Sequence, residues 1–445
     1  MFYRNALLEL KKWASKPKRK PLVLRGARQV GKTSIVLEFS KEFDTFLHIN
    51  LENGSATDLF KTQMSVEELL TAIYLFCNKE KKAGKTLLFI DEIQYAPQAV
   101  SILRYFYEEK PDLYVIAAGS LLESLIDNKL SFPVGRVEYL ALRPCCFSEF
   151  LGAMGETALK KALDNLPIPK PLHTKTMNLF NTYTLIGGMP EVVAHFAQNR
   201  DLVAIRDIYE SLINGYIDDI EKYSQNQTMT NILRHIIKSG WSYAAQPIRF
   251  NGFAGSSYKS REIGEAFRVL EKTMLAELVY PCTSFSIPVL QEIKRSPKLI
   301  WLDTGLVNYV AGIQKEVFGA MDIMDAWRGR VAEHIVAQEI LSSDSRVSFK
   351  RHFWVRNKKG SDAELDFVIQ HDNKLIPVEV KSGHNSKLKS LHLFMDNAEH
   401  DTAVRIWSKP FSIDNIITSK GKKVKLWNVP FYYAGSINDV LNKLT

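Results

Sequence analysis

The sequence predicts an α/β protein: a parallel sheet carrying a phosphate-binding loop, then helical and further α/β units. Three observations predict it. Pro21–Thr33 reads as a buried strand that turns through a glycine-rich loop into a helix. Thr86–Glu92 (TLLFIDE) is an apolar run ending in two acids. Near the C-terminus, two alternating segments end in Glu379-x-Lys381.

The first segment contains Gly26-Ala27-Arg28-Gln29-Val30-Gly31-Lys32-Thr33, the pattern GxxxxGK[ST], with a helix continuing through Ser34–Phe39. Glycines let backbone N–H groups close around phosphates, and a helix N-terminus favours an anion. The Lys32 ammonium is suited to β- and γ-phosphate oxygens and the Thr33 hydroxyl to Mg²⁺. Gly26 through Ser34 are therefore the expected binding residues for ATP or ADP.

A strand at Thr45–Leu51 and an amphipathic helix around Ser65–Cys77 follow. Thr86–Glu92 then fits a strand buried on both faces of a parallel sheet. Such a strand delivers its last residues to the carboxyl edge, where ligands bind. Asp91 is thus expected to hold Mg²⁺, the Walker B role, and Glu92 to polarise the attacking water. Asp112–Ala118 is another buried strand, ending at Gly119-Ser120. Ser120 is either a sensor beside the γ-phosphate or the N-cap of a helix over Leu121–Asp127. Arg136 is the candidate arginine for the γ-phosphate, in cis or in trans from a neighbouring subunit, with Arg143 a second. A role in trans would make the protein a homo-oligomer.

The order GARQVGKT, LLFIDEIQ, AAGSLLESL, GRVEYLALRP resembles the AAA-type P-loop ATPases of prokaryotes. More narrowly it resembles a family that joins such an ATPase to a C-terminal domain of unknown function. Gly187-Gly188-Met189-Pro190-Glu191, Lys298–Gly305 and Glu364–Lys381 carry that resemblance along the chain. Leu121 departs from it, since many relatives have a second serine there. The resemblance implies an ATPase core over 1–145 and a helical lid over 146–205. Cys146–Arg200 is indeed helical by periodicity, with a proline-broken stretch at Pro167–Pro171.

Asp207–Tyr223 reads as an amphipathic helix broken at Gly215. Helices at Asn231–Lys238 and Lys259–Lys272, then a strand over Met274–Val279, resemble a winged helix spanning 206–295. Ile263, Phe267 and Leu270 share one face of the second helix. Lys259, Arg261 and Arg268 are its candidates for DNA phosphates, opposed by Glu262, Glu265 and Glu271.

The last unit, 296–445, alternates. In Asp362–Gln370, Leu365, Phe367 and Ile369 take one face and Glu364, Asp366 and Val368 the other. In Ile376–Lys381, Glu379 and Lys381 share a face. If the strands pair, Asp366, Glu379 and Lys381 converge, with Glu333 available from a helix over Arg328–Leu341. This set resembles the PD-(D/E)xK core of restriction-endonuclease-like nucleases. The resemblance implies a second Mg²⁺ or Mn²⁺ on Asp366, Glu379 and Glu333, and Lys381 acting on water or the scissile phosphate. Arg351, Arg356, Lys358 and Lys359 would form a positive wall, and Trp354 either stacks on a base or packs internally.

Composition sets the outer limits. The net charge of +9, from 58 basic and 49 acidic residues, is a mild bias toward polyanions such as DNA. No apolar run is long enough for a membrane span, and the N-terminus lacks a hydrophobic signal core, so a cytoplasmic protein is expected. The four cysteines form no CxxC pair, so neither zinc nor a disulfide framework is indicated. No histidine cluster suggests a transition-metal site, and His384, which closely follows the Glu379-x-Lys381 segment, is the one histidine candidate. The expected function is Mg²⁺-dependent ATP hydrolysis driving a switch or motor on DNA. The alternatives are an ATP-gated metal-dependent nuclease and a non-enzymatic ATP-binding scaffold.

Overall fold

A computed structural model describes residues 2–119, 135–224, 226–312, 325–358, 363–382 and 388–444. Ser120, Lys359 and His384, and the helix expected over Leu121–Asp127, lie outside the described residues.

The N-terminal unit is a five-stranded parallel sheet between helices. Helix α1 (Ala6–Ala14) precedes β1 (Leu22–Arg25), α2 (Lys32–Phe39), β2 (Thr45–Asn50), α3 (Gly54–Lys61) and α4 (Val66–Phe76). Then come β3 (Thr86–Asp91), α5 (Pro97–Glu109), β4 (Tyr114–Gly119) and β5 (Glu138–Ala141). The strand order is β2-β3-β4-β1-β5, with every pairing parallel. All six residues of β3 are buried because helices cover both faces. One face packs Val23, Leu88 and Ile90 against α3, α4 and α5. The other packs Leu22, Leu24 and Phe89 against α1 and α2. Ser65 and Glu68 cap α4 reciprocally.

The helical section comprises α6 (Phe147–Ala153), α7 (Thr157–Leu163), α8 (His173–Ile186) and α9 (Pro190–Asn199), whose first residue is a proline suited to that position. Helix α10 (Ile205–Tyr223) is continuous through Gly215, correcting the expected break. One glycine costs a helix only about 1 kcal/mol. Burial of Ile205, Tyr209, Leu212, Tyr216 and Ile220 along one face outweighs that cost.

Helix α11 (Gln227–Ser239), β6 (Gln246–Pro247), α12 (Ser260–Lys272) and β7 (Ala276–Val279) follow. Ile263, Phe267 and Leu270 are fully buried, as their spacing predicts. The short β8 (Pro281–Cys282) leaves this unit to pair with a strand of the last one. Strand β9 (Lys298–Trp301) pairs antiparallel with β6 and β7. The expected boundary at 295/296 therefore cuts through one sheet and overlooks a strand lent to another.

The C-terminal unit contains α13 (Thr304–Val310), α14 (Asp325–Ser342), β10 (His352–Val355), β11 (Glu364–His371) and β12 (Lys374–Lys381). It ends with α15 (Lys389–Met395), β13 (Thr402–Trp407), β14 (Ser412–Ile417), β15 (Lys423–Pro430) and α16 (Ile437–Leu444). Its seven strands run in the order β14-β15-β13-β12-β11-β10-β8. Strand β11 pairs antiparallel with both β10 and β12, and β12 pairs parallel with β13 across α15. A single apolar core runs from the helical section through α12 into the C-terminal unit.

Candidate nucleotide site and a second charged cluster

Strand β1 ends at the carboxyl edge of the sheet, and the loop 26–31 carries the chain into α2. A Cβ at position 26 would lie 2.4 Å from the Leu142 carbonyl oxygen, so the strand leaves its neighbour only as glycine. Gly31 has φ 93°, the left-handed conformation a glycine adopts without steric cost. Lys32 is buried, and its ammonium donates to the carbonyls of Gly26 (3.0 Å) and Ala27 (2.9 Å). Burial pushes its pKa down, while Glu92 and Asp91 pull the other way.

Strand β3 brings the acids to the same edge, and β4 lies between β3 and β1. The Thr33 hydroxyl donates to Asp91 Oδ2 at 2.6 Å. Asp91 Oδ1 accepts the Glu92 N–H at 3.0 Å. Glu92 has φ 51°, an uncommon conformation for a residue with a side chain, and accepts from the Gln94 amide at 2.5 Å. A hydroxyl and a carboxylate in contact are hard oxygen donors of the kind Mg²⁺ takes, so these residues fit a nucleotide–Mg²⁺ complex.

Other residues meet this site that no spacing pattern identifies. His48 stacks on Phe89, with its Nε2 3.8 Å from Asp91 Oδ2. Arg4 donates to the Val30 carbonyl at 3.2 Å and the Arg143 carbonyl at 2.7 Å, and pairs with Glu149 at 3.1 Å. Arg28 pairs with Asp219 of α10, 191 residues away, and Tyr216 donates to the Arg28 carbonyl.

Arg136 is placed differently from expectation. It precedes β5, whose first residue is level with the start of β1, so it lies at the amino edge, opposite the phosphate loop. Its guanidinium pairs with Glu108 at 2.5 Å. The structure therefore does not bring Arg136 to the loop of its own chain. Arg143 follows β5 and donates to the Arg346 carbonyl at 3.3 Å.

A buried polar junction links the helical section to the C-terminal unit. The Gly188 N–H donates to Asp303 at 2.5 Å, and the Leu306 N–H to the same carboxylate at 3.1 Å. Gln338 of α14 donates to Asp303 at 3.2 Å and to the Tyr183 hydroxyl at 3.1 Å. Glu339 accepts from Tyr183 (2.7 Å) and from the Phe147 N–H (2.9 Å). Burial raises Asp303 to about 6 and Glu339 to about 7.

In the C-terminal unit, the β11–β12 register sets Phe367 against Val378, so Asp366 falls opposite Glu379. Asp366 accepts the Val380 N–H at 2.7 Å, and Lys381 donates to Glu379 at 2.5 Å. Glu333 of α14 joins this group. So do Lys298 and Glu364, which sequence reasoning passed over. The buried Lys298 ammonium lies 2.5 Å from Glu333 and 2.6 Å from Glu364. A lysine opening the apolar strand KLIW was the available signal. Burial pushes Glu333 up to about 8, against the pull of Lys298. Burial and Asp366 raise Glu379 to about 7. Among the described residues no group of three or more His, Cys, Asp or Glu side chains is placed to hold a metal ion. With an ammonium already between the carboxylates, these residues do not fit a resident metal. Arg351 is buried against Glu277 at 2.5 Å rather than on an open positive wall, and Trp354 packs fully buried on Phe285 and Phe394.

Residues 18–151 match the family model described as an AAA domain. Residues 177–317 match Domain of unknown function (DUF8612) and residues 328–424 match Domain of unknown function (DUF4143). No curated protein matches the chain. Among solved structures, the Walker-type ATPase PABY2304 of Pyrococcus abyssi is similar at 15% identity and a TM-score of 0.43, covering 70% of this chain and 96% of its own. PCH-2 of C. elegans is similar at 13% identity and a TM-score of 0.25, covering 44% of this chain and 60% of its own. Among the described residues no helix is long and apolar enough to cross a membrane.

Proposed function

With an AAA-type P-loop domain at its N-terminus, we propose that this chain binds and hydrolyses ATP and passes the state of that site to its C-terminal units. The observation that carries the reading is the 2.6 Å contact between Thr33 and Asp91 beside the buried Lys32. The loop amides of Gly26–Lys32 would receive phosphate oxygens. Thr33 and Asp91 would hold Mg²⁺, which when bound neutralises phosphate charge. Glu92 would orient and deprotonate a water. Lys32 would leave its two carbonyl partners for phosphate. Lys32→Ala should weaken ATP binding at least a hundredfold by calorimetry; unchanged affinity would reject the site. Glu92→Gln should keep ATP affinity within a few-fold and slow phosphate release by about 10²-fold, the scale of a general base.

We propose DNA as the partner, on the +9 net charge and the exposed cations of α12, notably Arg261. DNA that leaves phosphate release unchanged would favour a protein partner or a scaffold.

A second reading, ATP-gated cleavage of nucleic acid, is supported by the convergence of Glu333, Asp366, Glu379 and Lys381. The Lys298 ammonium among those carboxylates opposes it. The C-terminal unit is therefore proposed to bind without cutting. Plasmid incubated with the protein, ATP and Mg²⁺ or Mn²⁺ should stay supercoiled. Nicking that disappears in an Asp366→Ala, Lys381→Ala variant would restore the nuclease reading.

A further inference from the structure

Where the ATPase sheet, the α12–β7 unit and the C-terminal unit meet, there is a cleft of about 310 Å³. That volume suits a small ligand. The cleft borders Arg25 and Ala27 at the root of the phosphate loop, but none of Lys32, Thr33, Asp91 or Glu92. Arg143 enters it from the end of β5, Arg268 and Lys272 from α12, and Lys350 and Arg351 from the segment before β10.

Its charge is one-sided. Two carboxylates line it, Glu271 and Glu277. Glu277 is held by Arg351, and Glu271 accepts the Leu278 N–H at 3.0 Å. Arg351 is 4% exposed, donates to the Ala337 carbonyl at 2.7 Å, and leaves its Nε without a partner. The Nε of Arg143 is likewise buried and unpartnered. Burial pushes the Arg143 guanidinium down to about 10, with Arg351 and Arg25 adding to the shift against Glu277 and Asp344. Like charges gathered in a poorly hydrated cleft repel one another, and an anion relieves that cost. Guanidinium groups match the geometry of phosphate oxygens. Met274, Leu302 and Phe349 add an apolar wall that inorganic phosphate alone would not use.

We propose that this cleft is a second anion site, distinct from the P-loop, that takes a small phosphorylated organic molecule. Its occupant would touch three units at once and sit against the root of the phosphate loop. Binding there would set how the C-terminal units are held relative to the nucleotide site.

The test uses inorganic pyrophosphate as probe and the full chain carrying Lys32→Ala, which removes the P-loop lysine. Calorimetry should still register binding, and hydrogen exchange should slow over residues 268–277 and 346–351. Arg268 and Lys350 are exposed at the rim, so replacing both with Gln should leave the melting curve unchanged. That double variant, in the Lys32→Ala background, should bind pyrophosphate at least tenfold more weakly. No binding in the Lys32→Ala protein, or an unchanged affinity in the rim variant, would overturn the proposal. Because neither rim residue belongs to the ATP site, failure here would leave the proposed ATPase untouched.

Discussion

Lys298 shows what a single residue decides. A lysine at the start of an apolar strand is costly to bury unless carboxylates meet it, and Glu333 and Glu364 do, from α14 and β11. Lys298→Met should strand those carboxylates and lower stability by about 3–5 kcal/mol, the usual penalty for breaking a buried ion pair from one side. Chemical denaturation measures it; a loss below about 1 kcal/mol would mean the acids simply take up protons. The sequence made Asp366, Glu379 and Lys381 legible because period-two alternation fixes which side chains share a face. It hid Lys298, Asp219 and Arg4. Their partners lie 35, 191 and 145 residues away, and tertiary packing alone sets such distances.

Elements were easier to read where one force dominates. The central strands of the first sheet are buried on both faces, so their apolar runs stand out, and β1, β3 and β4 fall where expected. Helix α10 misled because its glycine reads as a break while its long apolar face sustains the helix. The strand exchange at β8 and β9 left no local sign at all. Close approach is the other force acting at this scale. The turn between α8 and α9 presses on the chain after β5, so that a Cβ at Gly188 would lie 2.2 Å from the Cys145 carbonyl oxygen. Gly188→Ala should therefore cost about 1–3 kcal/mol, the range for overpacking, seen as a lower melting temperature. An unchanged melting curve would show that the turn moves aside freely.

Across the whole molecule, the helical section and the C-terminal unit share the polar junction around Asp303, Gln338 and Glu339. Its pH dependence follows from burial. The folded-state pKa of Glu339 is raised from 4.5 to about 7, so the folded chain keeps this proton to higher pH than the unfolded chain does. Stability from this group is then full below about pH 4.5 and is lost as pH rises to 7. Glu339→Gln keeps an acceptor for Tyr183 and Phe147 but does not ionise. It should flatten that decline and gain on the order of 2–3 kcal/mol relative to the parent at pH 8. Melting curves at pH 5 and pH 8 give the difference, and parallel slopes would discard the assignment.

The lysine lodged among the C-terminal acids has a further consequence. For Glu333 and Glu364 this fold carries the counter-ion as part of the polypeptide, so the charge that meets them arrives with the chain itself.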